Sequence, residues 1–413
     1  MSYNDQITAT GIDAVVGEPG DDVRAILDGI DAIGPQIVGE AAGQEAERRV
    51  STVVMDALQQ TGAFATLKPS SVGGRGALVS DLLRVTRQVG LYDSGTSWVV
   101  TLATVSNYIG QLFGEQAQKE IWADKGAETI LTGIVQPNGT AVKAEGGYRL
   151  SGTWYYNSGS WYTDWAWLGG MLLREDGTPD QPVLFAVPRS DYDIEDTWFT
   201  AGMRASASNC LIVEDRFVPD HRIMRLADVV QGKAPGLGIE GHDVAAAATL
   251  QPVFALGLVG PLLGAGTAAV DYVMGLMGKR DVGHTIYRTQ TESTAHQVEL
   301  ARAVTLVDTA HLHAFRAAQL IDAAAAEGRV LTRLEVGLTR ADTGWAAECV
   351  TMAIGKLIDI HGAGAFAERS PLQRFWRDAN TAARHAAILP LTGFEGYGKN
   401  LLGMPGITPY EER

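Results

Sequence analysis

The sequence predicts an α+β protein that is mainly helical and has three consecutive parts. Charged and apolar residues alternate at helical spacing over residues 20–127, and long apolar stripes at spacings of three and four follow over about 243–390. Between them, residues 128–225 hold short β-branched and aromatic runs separated by Gly, Pro, Asp and Asn. We therefore expect an N-terminal helical domain (1–127), a middle β domain (128–225) and a C-terminal bundle of the four-helix type (226–413).

The first part consists of helical segments joined by loops. In AERRVSTVVMDALQQTGAF (46–64) charged and apolar residues alternate at helical spacing, and Gly62 is a typical helix terminator. The stretch KPSSVGGRG (68–76) is rich in Gly, Pro and Ser, which predicts a loop.

The middle part contains the runs GYRLSGTWYYNSGS, DWAWLGGMLLRED, PVLFAVPRS and NCLIVEDRFVP, which predict strands. Within GTWYYNSGSWYTDW (152–165), six aromatic side chains lie among Asn, Ser and Asp. On a regular strand Trp154 and Tyr156 share one face, and Tyr155 and Asn157 share the other. The stretch is either a buried part of the sheet with its polar groups satisfied or one wall of a site for a flat, polar ligand. In the second case one face contacts the ligand while the other packs beneath the sheet.

The third part has two apolar stripes that are typical of long bundle helices. They comprise Leu300, Val304, Val307, His311, Ala314, Ala318 and Ile321, and then Ala346, Val350, Ala353, Leu357 and Ile360. The apolar run 250–278 is interrupted by Pro252 and Pro261 and carries Asp271. This pattern indicates a buried helix of the bundle and not a membrane span.

Composition excludes several classes of function. The 413 residues carry a net charge of −15, which argues against a nucleic-acid partner. Cys210 and Cys349 are far apart and form no cluster with histidines, so neither a disulfide framework nor a metal site is expected. The N-terminus resembles no signal peptide. We therefore expect a cytoplasmic protein.

Five segments, in their order and spacing, resemble the acyl-CoA dehydrogenase fold. They are TGAFATLKPSSVGG (61–74), DSGTSWVV (93–100), GGYRLSGTWYYNSG (146–159), GMRASASN (202–209) with DRFVP (215–219), and PLQRFWRDANTAARHA (371–386). Within this fold, the chain resembles the flavin-dependent monooxygenases of two-component systems, which include hydroxylases of phenols, steroid-derived phenols and aromatic polyketides. The resemblance implies a helical N-terminal domain, a middle β-sandwich or barrel, and a C-terminal four-helix bundle.

The residues after the Arg377–Asp378 pair favour one branch of this fold. Many dehydrogenases of the fold carry a catalytic Glu shortly after this pair. Here the pair is followed by ANTAARHAAILP, which contains His385 and no carboxylate, and Glu395 lies too far along the chain, beyond Pro390. The monooxygenase branch is known for a histidine in this region, so His385 favours that branch.

The resemblance implies an oxygenase component that hydroxylates an aromatic small molecule, such as a polycyclic or polyketide compound. It implies reduced flavin (FMNH2 or FADH2) and O2, which react to a flavin C4a-hydroperoxide. The stretch GLGIEG (236–241) follows Pro235 and no strand, so it is not a dinucleotide-binding turn. A separate NAD(P)H:flavin reductase is therefore implied. Relatives are usually homotetramers packed through the C-terminal bundle, and we expect the same here.

His385, Ser158 and Asn107 are the candidate catalytic residues. A neutral imidazole at His385 can take the proton of a phenol, because its pKa lies near operating pH. Ser158 matches the Ser-Gly that the resembling hydroxylases carry on the strand facing the flavin, and Ser160 would share that face. Asn107 lies on a helix where several family hydroxylases have a histidine, and it can serve as a hydrogen-bonding group.

Eight residues are candidates for flavin binding by their places in the family motifs. They are Gln136, Gly139, Thr140, Trp154, Asn157, Ser158, Arg204 and Ser206. The first three lie in GIVQPNGTA (133–141), where the fold has its first flavin-contacting strand. Arg204 and Ser206 are expected near the flavin phosphate or ribityl groups.

Three alternatives remain open from the sequence. A Glu within reach of the flavin would favour an acyl-CoA dehydrogenase or oxidase. An N- or S-oxygenating member of the fold would share the same cofactor. Failure to bind any flavin would favour a non-catalytic flavoprotein or helical scaffold.

Overall fold

Seven helices precede the first strand in the described part of the chain, residues 2–7 and 13–407 of a computed structural model. They are α1 (Tyr3–Ile7), α2 (Asp13–Val16), α3 (Asp21–Glu47), α4 (Thr52–Thr61), α5 (Val79–Gly90), α6 (Ser94–Gly110) and α7 (Glu115–Ile121). All 17 residues of α6 are buried, so this helix runs through the centre of the protein. The carboxylate of Asp93 caps it by accepting hydrogen bonds from the amide and the hydroxyl of Thr96, both at 2.8 Å.

Seven strands form one mixed sheet in the described residues, in the order β5-β6-β2-β1-β3-β4-β7. They are β1 (Leu131–Ala144), β2 (Gly147–Asn157), β3 (Trp165–Leu173), β4 (Pro179–Pro188), β5 (Asp193–Glu195), β6 (Asn209–Pro219) and β7 (Ile223–Arg225). β1 pairs with β3 in parallel, and the other neighbouring strands are antiparallel. The expected sandwich or barrel is thus a single continuous sheet.

The sheet folds around its own apolar core, because β4 and β6 contact each other although they are not neighbours in the sheet. Trp154 is fully buried in this core, in the same cluster as Leu150 and Phe185, and its Nε1 donates to the carbonyl of Gly169 at 2.7 Å. A Cβ at Gly139 would lie 2.4 Å from Cζ2 of Trp154. Packing of this indole therefore explains the glycine at 139.

The remaining helices form the C-terminal part of the chain. They are α8 (Leu226–Val230), α9 (Leu250–Gly257), α10 (Gly260–Met277), α11 (Thr294–Ala326), α12 (Arg333–His361), α13 (Pro371–Ala382) and α14 (Pro390–Leu401). Among the described residues, the stretch Leu250–Met277 is long and apolar enough to cross a membrane, but 89% of its most apolar window is buried inside the protein. The main core cluster joins Leu262 of α10, Val307 of α11 and Val350 of α12 with Leu102 of α6, so the two helical parts share one core.

Lys68 is fully buried in the loop between α4 and α5, and its ammonium donates to the carbonyl of Ala127. Burial lowers the pKa of Lys68 from 10.5 to about 7. The unfolded lysine therefore holds its proton more tightly than the folded one between these values. Burial of Lys68 therefore lowers the free energy of unfolding. This loss has its full size below about pH 7 and disappears as the pH rises to 10.5, the pKa of the unfolded lysine.

Replacing this lysine by Lys68→Met is expected to raise the free energy of unfolding by about 2 kcal/mol at pH 6.5 and by little at pH 9.5. The gain is smaller than the full desolvation cost because the carbonyl of Ala127 loses its donor. Urea unfolding at both pH values measures it. Lys119→Met is the control, because the side chain of Lys119 is 73% exposed. If Lys68→Met raised the free energy of unfolding equally at both pH values, the lowered pKa of Lys68 would be contradicted.

Candidate active site

Tyr156 interrupts the regular alternation of β2. Its φ is +73°, a conformation that costs a bulky residue about 1–3 kcal/mol. The pairing of β2 with β6 shifts register between Trp154 and Asn157. Both of these residues are fully buried, whereas Tyr155 and Tyr156 are 50% and 68% exposed. The expectation that Trp154 and Tyr156 share a face is wrong, because this irregularity breaks the two-residue repeat.

The end of β2 therefore presents a different ring from the one expected. Trp154 supports the sheet from within, and the exposed ring of Tyr156 packs edge-on against Trp198, with the ring centroids 6.1 Å apart. The amide of Asn157 donates to the carbonyl of Trp154 at 2.6 Å, while its Oδ1 is buried and has no hydrogen-bond partner among the described residues. An unpaired buried acceptor of this kind is a group that a ligand can satisfy.

Ser158 follows directly and connects three parts of the fold. Its Oγ accepts a hydrogen bond from Nε1 of Trp98 on α6 at 3.1 Å and lies 2.8 Å from Oγ of Ser208. Its carbonyl accepts from the hydroxyl of Thr132 on β1 at 3.1 Å. The position of this hydroxyl is thus set by α6, by β1 and by the loop before β6.

The loop before β6 is held by a buried carboxylate from α13. Oδ1 of Asp378 accepts a hydrogen bond from the amide of Met203 at 2.6 Å. Met203 and Ala207 have φ values of +55° and +44°, so the loop is tightly wound. Burial raises the pKa of Asp378 to about 7. The loop carries Ser206 and Ser208, whose hydroxyl oxygens lie 2.7 Å apart.

His385 lies in the turn after α13, beside the same tryptophan. The imidazole centroid is 5.9 Å from that of Trp98, in an edge-on arrangement, and 5.8 Å from that of Phe254. Burial among these rings lowers the pKa of His385 to about 4, because the charged imidazolium loses its hydration. Its Nδ1 accepts a hydrogen bond from the amide of Ala387 at 3.2 Å. This bond assigns the proton of the neutral ring to Nε2.

The predicted residues of β1 lie at its irregular stretch. The pairing of β1 with β3 is interrupted between Ile134 and Gly139, and Gln136 is exposed within this interval. Thr140 is also exposed, but its backbone belongs to the regular ladder opposite Ser151. Gln136 therefore has more freedom to meet a ligand than Thr140.

Arg204 uses two of its side-chain donors within the protein. Its Nε donates to the carbonyl of Glu45 and its Nη1 to the carbonyl of Thr200, both at 3.0 Å. These bonds tie the loop before β6 to α3. They do not use Nη2, and the predicted contact of Arg204 with a flavin phosphate stays a prediction.

Asn107 lies apart from the cluster around Ser158. It is fully buried on α6, where its Nδ2 donates to the carbonyl of Phe64 at 3.0 Å and its Oδ1 has no partner within residues 2–7 and 13–407. It follows Trp98 by nine residues, which places the two side chains on opposite faces of the helix and about 13 Å apart along its axis. The structure thus brings His385 and Ser158 together through Trp98, but not Asn107.

Three residues of the cluster were not predicted as site residues: Trp98, Ser208 and Asp378. Each lies in a segment that carries the family resemblance, which was the available signal. Their convergence depends on contacts between distant segments, and local periodicity does not report such contacts.

Relatives and solved structures resemble this chain over almost its whole length. The oxygenase subunit HsaA of a flavin-dependent monooxygenase from Rhodococcus jostii (strain RHA1) is 32% identical over 384 residues, 91% of this chain and 98% of that protein. The oxygenase component of the FADH(2)-dependent resorcinol hydroxylase from Rhizobium sp. (strain MTP-10005) is 31% identical over 83% of this chain and 86% of its own length. XiaF from Streptomyces sp., solved in complex with FADH2 and glycerol, is 34% identical, with a TM-score of 0.88 over 94% of this chain and 97% of XiaF.

The chain is an oxygenase component of the two-component, flavin-dependent monooxygenases. A family model for the acyl-CoA dehydrogenase C-terminal domain also matches residues 256–390. These findings confirm the predicted fold, the family and the use of reduced flavin. As a member of this family, the oxygenase hydroxylates an aromatic compound and works with a separate flavin reductase.

Several groups at the end of β2 could hold the flavin of such an oxygenase. The unpaired Oδ1 of Asn157 can accept a hydrogen bond, and the exposed ring of Tyr156 can pack against a flat ring system. The hydroxyl of Ser158, the next residue, and the imidazole of His385 both contact Trp98. The residues present therefore fit a planar, polar cofactor.

A separate cavity of about 410 Å³ lies in the C-terminal helical part of the oxygenase. Its lining includes Tyr272, Arg280, His361 and Arg369. Nη1 of Arg280 donates to Nε2 of His361 at 2.7 Å, and burial lowers the pKa of that imidazole. None of its lining residues belongs to the cluster around Ser158.

Proposed function

We propose that this oxygenase hydroxylates a phenolic aromatic compound of one or more rings, with His385 acting on the phenol oxygen. The proposal depends mainly on one observation: the neutral imidazole contacts the rings of Trp98 and Phe254, and the indole of the same Trp98 donates to Ser158. Aromatic walls suit an aromatic guest. The resorcinol hydroxylase among the relatives is named for a phenolic substrate, which supports the proposal.

In this proposal His385 acts as a hydrogen-bond donor and not as the base expected from the sequence, because its Nδ1 already accepts from the amide of Ala387. When bound, reduced flavin supplies the chemistry that activates O2 for transfer to an electron-rich ring. The tautomer assigned by the Ala387 contact presents N–H at Nε2. Donation from Nε2 to the phenol oxygen lowers the pKa of the phenol, so that the phenol releases its proton to solvent more readily. The ring carbons of the resulting phenolate are more nucleophilic. A phenolate nearby would in turn raise the lowered pKa of the imidazole.

The position of Glu395 argues against the dehydrogenase alternative. Glu395, the carboxylate nearest in sequence to the family position, lies on α14 and forms an ion pair with Lys399 at 3.1 Å. Its side chain is 55% exposed. A base that removes a proton beside a flavin needs a sheltered position, and Glu395 does not have one.

We also propose that the oxygenase is a homotetramer located in the cytoplasm. Large apolar side chains are exposed on three C-terminal helices: Val298 and Leu312 on α11, Leu334 and Met352 on α12, and Leu391 on α14. Burial of these side chains between copies would stabilise an assembly. Light scattering is expected to give about four times the 44.0 kDa of one chain. A monomer at micromolar concentration would contradict the proposal.

Reconstitution tests the proposed reaction. The purified chain is mixed with an NAD(P)H:flavin reductase, NADH and either FMN or FAD under ¹⁸O₂. The panel contains resorcinol, 2-naphthol, their O-methyl ethers, indole, dibenzothiophene and butyryl-CoA. We expect the phenols to gain one labelled oxygen and the ethers to remain unchanged. Oxidation of indole, dibenzothiophene or the thioester without turnover of any phenol would overturn the proposal.

A further inference from the structure

We propose that Ser206 and Ser208 determine the direction of the hydrogen bonds around Ser158, so that Ser158 donates its proton towards the bound flavin. This inference rests on the proposed function, because it needs the flavin beside Ser158. It adds two positioning residues and assigns a donor role to the serine.

Three buried hydroxyls form a continuous row. Oγ of Ser206 lies 2.7 Å from Oγ of Ser208, which lies 2.8 Å from Oγ of Ser158. The three residues are 0%, 3% and 6% exposed, respectively. At such distances each neighbouring pair shares one proton, and each pair could have either member as the donor.

Trp98 constrains one end of the row. Its indole nitrogen is a donor only, so the 3.1 Å contact with Ser158 uses one acceptor position of that hydroxyl. Ser158 has one acceptor position and one proton left. Whether it accepts from Ser208 or donates to it depends on the other end of the row.

At the other end of the row, Ser206 determines the direction of the hydrogen bonds. In the described residues the only hydrogen-bond partner of its hydroxyl is Ser208. A buried proton without an acceptor costs about 1–3 kcal/mol, whereas an unused lone pair costs less. The row has three protons and two contacts between hydroxyls, so one proton is left over. That proton costs least on Ser158, the most exposed of the three at 6%, so Ser206 donates to Ser208 and Ser208 donates to Ser158.

Ser158 thus accepts from both Trp98 and Ser208, and its own proton is directed away from both. A ligand that offers an acceptor atom satisfies this proton. Oxidised flavin has an acceptor at N5, whereas reduced flavin carries a hydrogen there. The row therefore strengthens the binding of oxidised flavin relative to reduced flavin. The comparison is with a site in which the hydroxyl of Ser158 could rotate and accept a hydrogen bond from N5.

Titration of the full-length oxygenase with flavin in both redox states tests the inference. Oxidised FMN and FAD, and each flavin reduced under anaerobic conditions, are titrated by quenching of tryptophan fluorescence. Ser208→Ala is expected to raise the ratio of the oxidised to the reduced dissociation constant by about fivefold to tenfold, the effect of one hydrogen bond. Ser208→Thr keeps the hydroxyl and should restore the wild-type ratio.

Ser160→Ala is the matched control. The hydroxyl of Ser160 donates to the carbonyl of Ala207 and accepts from Asn209, so its loss perturbs the same loop without touching Ser158. We expect both dissociation constants to change by the same factor in this variant. Ser206→Ala provides a second test of the row if Ser208→Ala does not fold.

The Ser158→Ala variant distinguishes a wrong hydrogen-bond direction from a wrong flavin site. If the row acts through Ser158, then Ser208→Ala should no longer change the ratio in that background. An unchanged ratio in Ser208→Ala, with Ser158→Ala still weakening flavin binding, would overturn the assigned direction and leave the proposed site intact. If Ser158→Ala changes neither constant, the flavin does not contact Ser158, and the proposed site fails together with the inference.

Discussion

Replacing His385 with alanine is expected to lower the rate of hydroxylation by about 100-fold, while the affinity for reduced flavin changes by less than about threefold. The imidazole contacts the rings of Trp98 and Phe254 and one backbone amide, and we propose that the substrate binds beside it. Its loss removes the donor to the phenol oxygen without altering the end of β2. Reducing equivalents should then appear as H2O2 instead of product.

The size of the effect in His385→Asn distinguishes two roles. If the imidazole only donates a hydrogen bond, the asparagine amide can replace part of it and should recover activity about tenfold over alanine. If the imidazole must accept a proton, asparagine should be as inactive as alanine. Product formed per NADH consumed, measured together with H2O2, gives the answer. His296→Ala is the control, because His296 contacts Ser293 on its own helix.

An unchanged rate and unchanged coupling in His385→Ala would remove His385 from the mechanism. The reaction would then depend on Ser158 and the flavin alone. Loss of flavin binding in the same variant would assign the residue to cofactor binding instead of substrate activation.

Trp154→Ala is expected to lower the free energy of unfolding by about 3–5 kcal/mol. The indole fills the core of the sheet against Leu150 and Phe185, and its Nε1 satisfies the buried carbonyl of Gly169. Alanine would leave a cavity as well as an unpaired carbonyl. Gly139, which has no side chain because the indole occupies that space, could not fill the cavity.

Tyr156→Gly is the matched comparison, two residues further along the same strand. Tyr156 is 68% exposed and has positive φ, so glycine removes backbone strain and little buried area. We expect its free energy of unfolding to stay within about 1 kcal/mol of wild type and its affinity for flavin to fall. Urea unfolding and flavin titration measure the two quantities. Equal destabilisation by both substitutions would contradict the buried and exposed assignments.

The order of helices and strands was predictable because it depends on local periodicity. The stripes from Leu300 to Ile321 and from Ala346 to Ile360 lie within α11 and α12, and the broken apolar run lies in α9 and α10. His385 and Ser158 were accessible from sequence because each lies in a segment that resembles the family motifs.

Alternation along β2 was not predictable from the same rules. A two-residue repeat assumes extended backbone, and Tyr156 adopts positive φ instead. Nothing in the side chain of tyrosine favours that conformation. The surrounding fold imposes it, so the strand buries Trp154 and Asn157 and exposes both tyrosines.

The sequence by itself thus determined the three-part architecture, the family and two of the residues at the proposed centre, because periodicity and motif spacing are properties of neighbouring positions. The tertiary structure alone decided which ring of β2 is exposed, that Asn107 lies apart from His385, and that Trp98 and Ser208 meet at Ser158. The contact between Trp98 and Ser158 joins residues 60 positions apart in the chain, and the contact between Ser208 and Ser158 joins residues 50 positions apart. Such contacts form only in the folded protein, where the free energy of packing offsets the conformational entropy lost when distant segments come together.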